Sequence, residues 1–344
     1  MRRISRIAAV LAVALAAIWS GIWFYVQGEV RRQTFSWIEQ QRAQGTTVEH
    51  GTISVSGFPL WWRVEFENPR IAGAEASRGE WRGTRAAGIL RPWAYRVIPL
   101  RFEGEQHLTF GDGRRTWNVT TLAAEPDAQI TLGPNGRLER VDVDMQGYEV
   151  RGPAEIGTYR GQRATIAVQL RPTPRSHMDS LVDVTATLLD LDLPQPPAPG
   201  LATRVQRFDL DGSFKGNLPP GRLAEAVAAW RDDGGTIDIN RLVLVSAPLD
   251  FDGNGTLALD NQNRALGAFS GRLRGYNETI DGLARAGTIA PMLAVGLRLF
   301  MTGIQRQGRD GRMEVQVAIT AQDGMLSVND FRLPGIRLLP LRFE

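Results

Sequence analysis

The sequence contains no cysteine, only three histidines and a single lysine, Lys215. Without thiols there are no disulfides, no thiolate metal sites and no cysteine nucleophile. The absence suits an oxidising compartment, where a stray thiol is a liability. His50, His107 and His177 lie in unrelated segments, and with no H-x-x-x-H or H-E-x-x-H pair a zinc site lacks its ligands. No G-x-S-x-G elbow, G-x-x-x-x-G-K-[ST] loop or G-x-G-x-x-G turn occurs, which removes the signatures of a serine hydrolase and of nucleotide binding. No carboxylate pair is singled out for glycoside hydrolysis. A basic surplus is missing too. The net charge of +3 on 40 basic and 37 acidic residues comes from Arg2, Arg3 and Arg6, leaving no excess to attract nucleic acid. These absences lead to the expectation of a chain that is no enzyme, uses no cofactor or metal and binds no nucleic acid.

What is present begins with Ile7 to Val26, an uncharged apolar run. At about 1.5 Å per helical residue it spans roughly 30 Å, one hydrocarbon core. Arg2, Arg3 and Arg6 precede it, so the positive-inside rule keeps residues 1–6 cytoplasmic and sends the rest outward. Trp19, Trp23, Phe24 and Tyr25 crowd the far end, where an aromatic belt sits. A cleaved signal peptide is the rival reading. The length of the run and its bulky exit, in place of a small-residue cleavage site, favour an uncleaved anchor over residues 7–26. Residues 27–45 then read as a helical stalk with a partial stripe of Val30, Phe35, Trp37 and Ile38, and Gly45 as its C-cap.

From Thr46 the apolar period changes to two. Ile53 and Val55, the Gly57-Phe58-Pro59 turn, then Leu60, Trp62, Val64 and Phe66 predict a half-buried antiparallel hairpin. Trp61 and Trp62 point to opposite faces, so they cannot both be core. Alternation recurs around Val141, Ile166, Val184, Ile237, Leu257, Val315 and Leu326. Turn clusters separate these runs at Gly111-Asp112-Gly113, Gly133-Pro134-Asn135-Gly136 and Gly253-Asn254-Gly255. The fold class expected is mainly β: an N-terminal transmembrane helix, then an extended, curved antiparallel sheet with a few helices inserted in its second half. The proline-rich residues 194–200 cannot be strand interior and are read as the connection between a first β-rich half, 46–193, and a second, 201–344.

In the second half, Pro219 and Pro220 lead into a helix over 222–232, and Asn277 is a candidate N-cap for a helix carrying Ile280, Leu283 and Ala284. Residues 288–304 are apolar nearly all round and too few to cross a bilayer. They read as a buried helix, with a membrane-contacting or groove-lining helix as the sharper alternative. Asp250 to Gly255 matches the first half of a calcium loop, but the bidentate position falls on Asn261. A β-turn with its acidic residues on a solvent face is the simpler account. Asp142-Val143-Asp144, Asp190-Leu191-Asp192 and Asp209-Leu210-Asp211 each place two carboxylates on one wet strand face.

The order of anchor, stalk, Val55-Ser56-Gly57-Phe58-Pro59-Leu60 hairpin, Asn68-Pro69-Arg70-Ile71 and Trp81 resembles an uncharacterised envelope family of Gram-negative bacteria, domain of unknown function 2125. Residues 320–327, Thr-Ala-Gln-Asp-Gly-Met-Leu-Ser, and the closing Leu333-Pro334 resemble that family's end. The resemblance implies a single-pass protein of the bacterial inner membrane with its bulk in the periplasm, and it transfers no catalytic residue. More distantly, an anchor followed by amphipathic strands looks like AsmA-type envelope proteins, which implies a curved sheet carrying lipid along a hydrophobic groove. The expectation is a non-catalytic role in cell-envelope maintenance. Lipid would be bound or transferred along an apolar sheet face whose candidate lining is Leu60, Trp62, Val64 and Phe66. The alternative is a tethered β-scaffold with a closed core, meeting an envelope protein through loops or a strand edge.

Overall fold

A single unbroken helix, α1 (Arg2–Ala43), carries the apolar run and the stalk together. The computed structural model describes residues 2–73, 79–111, 116–308, 311–329 and 331–341, so the Asp112-Gly113 turn lies outside the described residues. α1 is the one helix among these that is long and apolar enough to cross a membrane. It ends where expected: Gly45 adopts a φ of +85° and its N–H bonds the Arg42 carbonyl, so the chain reverses without a Cβ clash.

The chain then folds as two compact units, the first comprising residues 1–121 with 126–137 and the second 122–125 with 138–344. In the first unit, short strands β1 (Thr47–Glu49) and β2 (Ile53–Ser56) precede β3 (Trp62–Glu67), β4 (Arg70–Ala72) and β5 (Glu80–Leu90). A 3-10 turn (Pro92–Ala94) leads into β6 (Val97–Gly111) and β7 (Thr116–Leu132). All pairings are antiparallel. β5 is central. Its second half pairs with β3, its first half with β4, and its other edge with β6.

In the second unit the strands follow one another as neighbours: β8 (Leu138–Arg151), β9 (Thr158–Leu170), β10 (Ser180–Asp192), β11 (Arg204–Lys215), β12 (Thr236–Ser246), β13 (Leu249–Leu259) and β14 (Ala265–Arg274). Short β15 (Gln305–Gln307) and β14 both pair with β16 (Met313–Gln322), which is followed by β17 (Met325–Val328) and β18 (Phe331–Arg337). One apolar row crosses eight of these strands: Val143, Ile166, Ala186, Leu210, Leu242, Gly253, Gly271 and Val317. The proline-rich residues 194–200 lie inside this unit and join β10 to β11, which pair along their length.

Three helices are inserted here: α2 (Leu223–Asp232), α3 (Tyr276–Arg285) and α4 (Pro291–Ile304). Trp230 of α2 stacks on Phe214 at 4.8 Å and donates its indole N–H to the Lys215 carbonyl, which fastens the helix to β11. Tyr276 and Ile280 of α3 and Ala294 and Met301 of α4 are buried in one core with Val315 and Val317 of β16. α4 thus buries one face, as read from residues 288–304, but begins at Pro291 and leaves Met292, Val295 and Leu299 exposed.

Two expectations are corrected. Asn277 is not the N-cap of α3; Gly275, with a φ of +66°, takes that place because the chain enters the helix through a left-handed residue. Asp250 to Gly255 is not a turn either, but the interior of β13. Gly253 faces Gly271 across the ladder, and the Phe251 ring fills the space that Cβ atoms on those glycines would occupy. Asp252 meets Arg272 at 3.0 Å, on the polar face.

Candidate functional site

In the first unit the period-two pattern sorts the sheet into two unlike faces. On one, Arg63, Glu65, Arg85 and Glu103 interlock: Arg63–Glu65 at 3.2 Å, Arg63–Glu103 at 3.6 Å, Arg85–Glu65 at 3.0 Å and Arg85–Glu103 at 2.7 Å. Glu103 holds the Arg85 guanidinium above its ordinary range. Solvent-screened pairs of this kind add little to stability. Their larger effect is on register, because a slip by one residue would turn these charges onto the apolar face.

The other face is apolar, and the sizes of its residues hollow it along the middle. Phe66, Ala86 and Phe102 form one cross-strand row; Val64, Gly88 and Leu100 form the next. Small residues on the central strand lie between large ones on its neighbours, so the middle of the face is left low. α1 runs over this face and presents Val30, Gln33, Thr34, Trp37 and Gln40, spaced as one side of a helix. Between helix and sheet lies a cavity of about 920 Å³, bounded also by Ile71, Trp81, Leu90, Ile98 and Leu132. Its volume falls in the range of small-molecule sites, and its polar groups, including Glu29, Gln33, Gln40, Glu49 and His50, are few beside its carbon lining.

The stretch of α1 over this face is tied to the strands at both of its ends. At the lower end Trp23 and Trp62 stack at 6.2 Å, both buried, and the Trp62 indole N–H donates to the Trp23 carbonyl at 3.2 Å. At the upper end the Arg42 guanidinium donates twice to the Val48 carbonyl, at 2.7 and 3.1 Å. Beside that end Arg70 bridges Glu80 and Glu49, joining β4 to β5 and β1. Arg70 holds the Glu80 carboxyl below the usual carboxylate range. His50 sits edge-on between Phe35 and Phe66, with its Nδ1 at 2.8 Å from the Gly51 carbonyl.

Of the four residues named from the sequence, Val64 and Phe66 line the trough. Trp62 shares their face but is consumed in the stack with Trp23. Leu60 lies in the turn before β3 and is half exposed, because the hairpin reverses over Gly57 to Trp61 and not over Gly57-Phe58-Pro59 alone. The floor on β5 and β6 went unpredicted. Ile98, Leu100 and Phe102 do alternate, but Pro99 between them speaks against a strand. Among the described residues no three His, Asp or Glu side chains converge as metal ligands would.

A family sequence model described as an uncharacterized protein conserved in bacteria, domain of unknown function 2125, matches residues 23–336. No curated protein matches the chain. No solved structure matches it.

Proposed function

The chain belongs to this uncharacterised bacterial family, and from that premise we propose that it is a single-pass inner-membrane protein that binds the acyl chains of lipid in the trough beneath α1. In this reading Arg2, Arg3 and Arg6 keep the N-terminus cytoplasmic and the two β-rich units work in the periplasm, without catalysis, in upkeep of the envelope. The observation that carries it is the 920 Å³ apolar cavity, walled on one side by the direct continuation of the apolar helix. An acyl chain in such a space sheds its hydration at about 0.8 kcal/mol per methylene. Ten methylenes therefore offer roughly 8 kcal/mol gross, enough to outweigh the ordering cost of binding.

The test is photo-crosslinking in the full chain. A benzophenone side chain at Leu100, on the trough floor, is expected to capture lipid from native membranes; the same group at Arg101, on the charged face, is not. Equal labelling at the two positions, or none at Leu100, defeats the proposal. A second reading, a tethered protein-interaction module, draws on the exposed Met292, Val295 and Leu299 stripe of α4. Recovery of one stable protein partner, lost on Leu299→Glu, would favour it.

A further inference from the structure

The hairpin tip between β2 and β3 is bound to the apolar part of α1, and the strand leading to it is bound to the first residue of the stalk. The Trp19 indole N–H donates to the Pro59 carbonyl at 2.7 Å, the Trp23 indole N–H to the Trp61 carbonyl at 3.1 Å, and the Gln27 amide to the Val55 carbonyl at 2.9 Å. Phe58 adds ring contacts to Trp23 at 5.4 Å and Phe24 at 6.0 Å. The spacings agree along the whole run. From Trp19 to Arg42 the helix rises about 35 Å, and from Pro59 back to Val48 an extended chain covers about the same distance. The chain therefore leaves along α1, reverses at Gly45 and returns to the level of Trp19.

That level is below the edge of the run. Val26 ends it, and Trp19 lies seven residues nearer its middle, about 10 Å along the helix. The tip is also oily and open to its surroundings: Phe58, even with its ring against α1, is 52% exposed, and Leu60 is 50% exposed. The turn between β5 and β6, which lies beyond Leu90 at the same end of the sheet, exposes Trp93 and Tyr95. An aromatic and aliphatic fringe at this height is the composition that membrane interfaces select.

We infer that the Gly57–Trp61 tip is a second membrane contact, inserted beside α1 into the leaflet from which the stalk emerges. The partner is the lipid bilayer itself, and the inference rests on the reading of α1 as an anchor. It deepens the proposed function, since Leu90, which pairs with Trp62 at the lower end of the trough, would then lie next to the bilayer that supplies the lipid.

The absence of cysteine makes the test clean. Single variants Leu15→Cys, Phe58→Cys and His107→Cys of the full chain are spin-labelled in vesicles of phosphatidylethanolamine and phosphatidylglycerol. Collision with oxygen, which concentrates in lipid, is compared with collision with a water-soluble nickel chelate. His107 lies on β6 ten residues beyond its first residue Val97, roughly 30 Å up the strand, and serves as the aqueous reference. The expected result is an oxygen-to-chelate ratio at Phe58 several-fold above that at His107 and close to that at Leu15. A lipid-like Leu15 with a water-like Phe58 overturns the inference and leaves the anchor standing. A water-like Leu15 overturns both.

Discussion

At the scale of residues, much of the first unit depends on a few side chains that do two jobs. Trp62 closes the lower end of the trough with its ring and ties helix to hairpin with its indole N–H. Arg70 gathers the carboxylates of Glu49 and Glu80 from two other strands. Because Glu80 is held below its ordinary range chiefly by the hydrogen bond from Arg70, it contributes stability in its ionised form. That contribution is complete above the unfolded value, about pH 4.3, and is lost as pH falls through the lower folded value. Glu80→Gln should therefore unfold more readily than the parent at neutral pH, and the gap between them should close in acid. Denaturant melts across pH 3 to 7 check this; a gap that persists unchanged to pH 3 would show that the charge of Glu80 plays no part. Little of this was legible beforehand, since Arg70 and Glu80 are ten positions apart on strands whose pairing no local pattern reveals.

Elements were legible in proportion to the size of their inward residues. β8, β9, β10 and β16 alternate Val, Ile and Leu with polar residues and read directly as strands. β5 does not, because its trough-facing positions are Ala86 and Gly88, small so that the floor lies low. β13 was obscured by Gly253 and Gly255, which serve close strand packing and not a turn. Two glycines separate these uses. A Cβ on Gly88 would meet Leu100 at 3.6 Å and Ile98 at 3.7 Å, ordinary contact, so Gly88→Ala should leave stability unchanged or raise it by about 0.5 kcal/mol. A Cβ on Gly161 would land on the ring of Tyr148, its ladder partner, so Gly161→Ala should cost about 1–3 kcal/mol. Chemical denaturation of both variants measures the contrast, and equal effects would mean that the glycines are mere strand weakeners.

For the molecule as a whole, the helix is part of the site. The stalk segment of α1 covers Phe66, Leu100 and Phe102, so a chain beginning after Gly45 would leave that face to water. A fragment starting at Gln27 should stay soluble and bind little of a hydrophobic dye. One starting at Thr46 should bind several-fold more dye or aggregate, as expected of an exposed apolar patch of this size. Equal dye binding by the two fragments would mean that the sheet covers its own face.

By itself, the amino-acid sequence determined the apolar helix, the β class and the polar and apolar sides of the hairpin. Each follows from hydropathy and period, which act over one turn or one strand. Only the tertiary structure decided that the stalk folds down over the sheet, that small residues on β5 open a trough there, and that Trp62 and Leu60 belong to its end and its turn. Those outcomes depend on which distant residues share a row, and chain-reversing hydrogen bonds between residues forty positions apart leave no trace in local pattern.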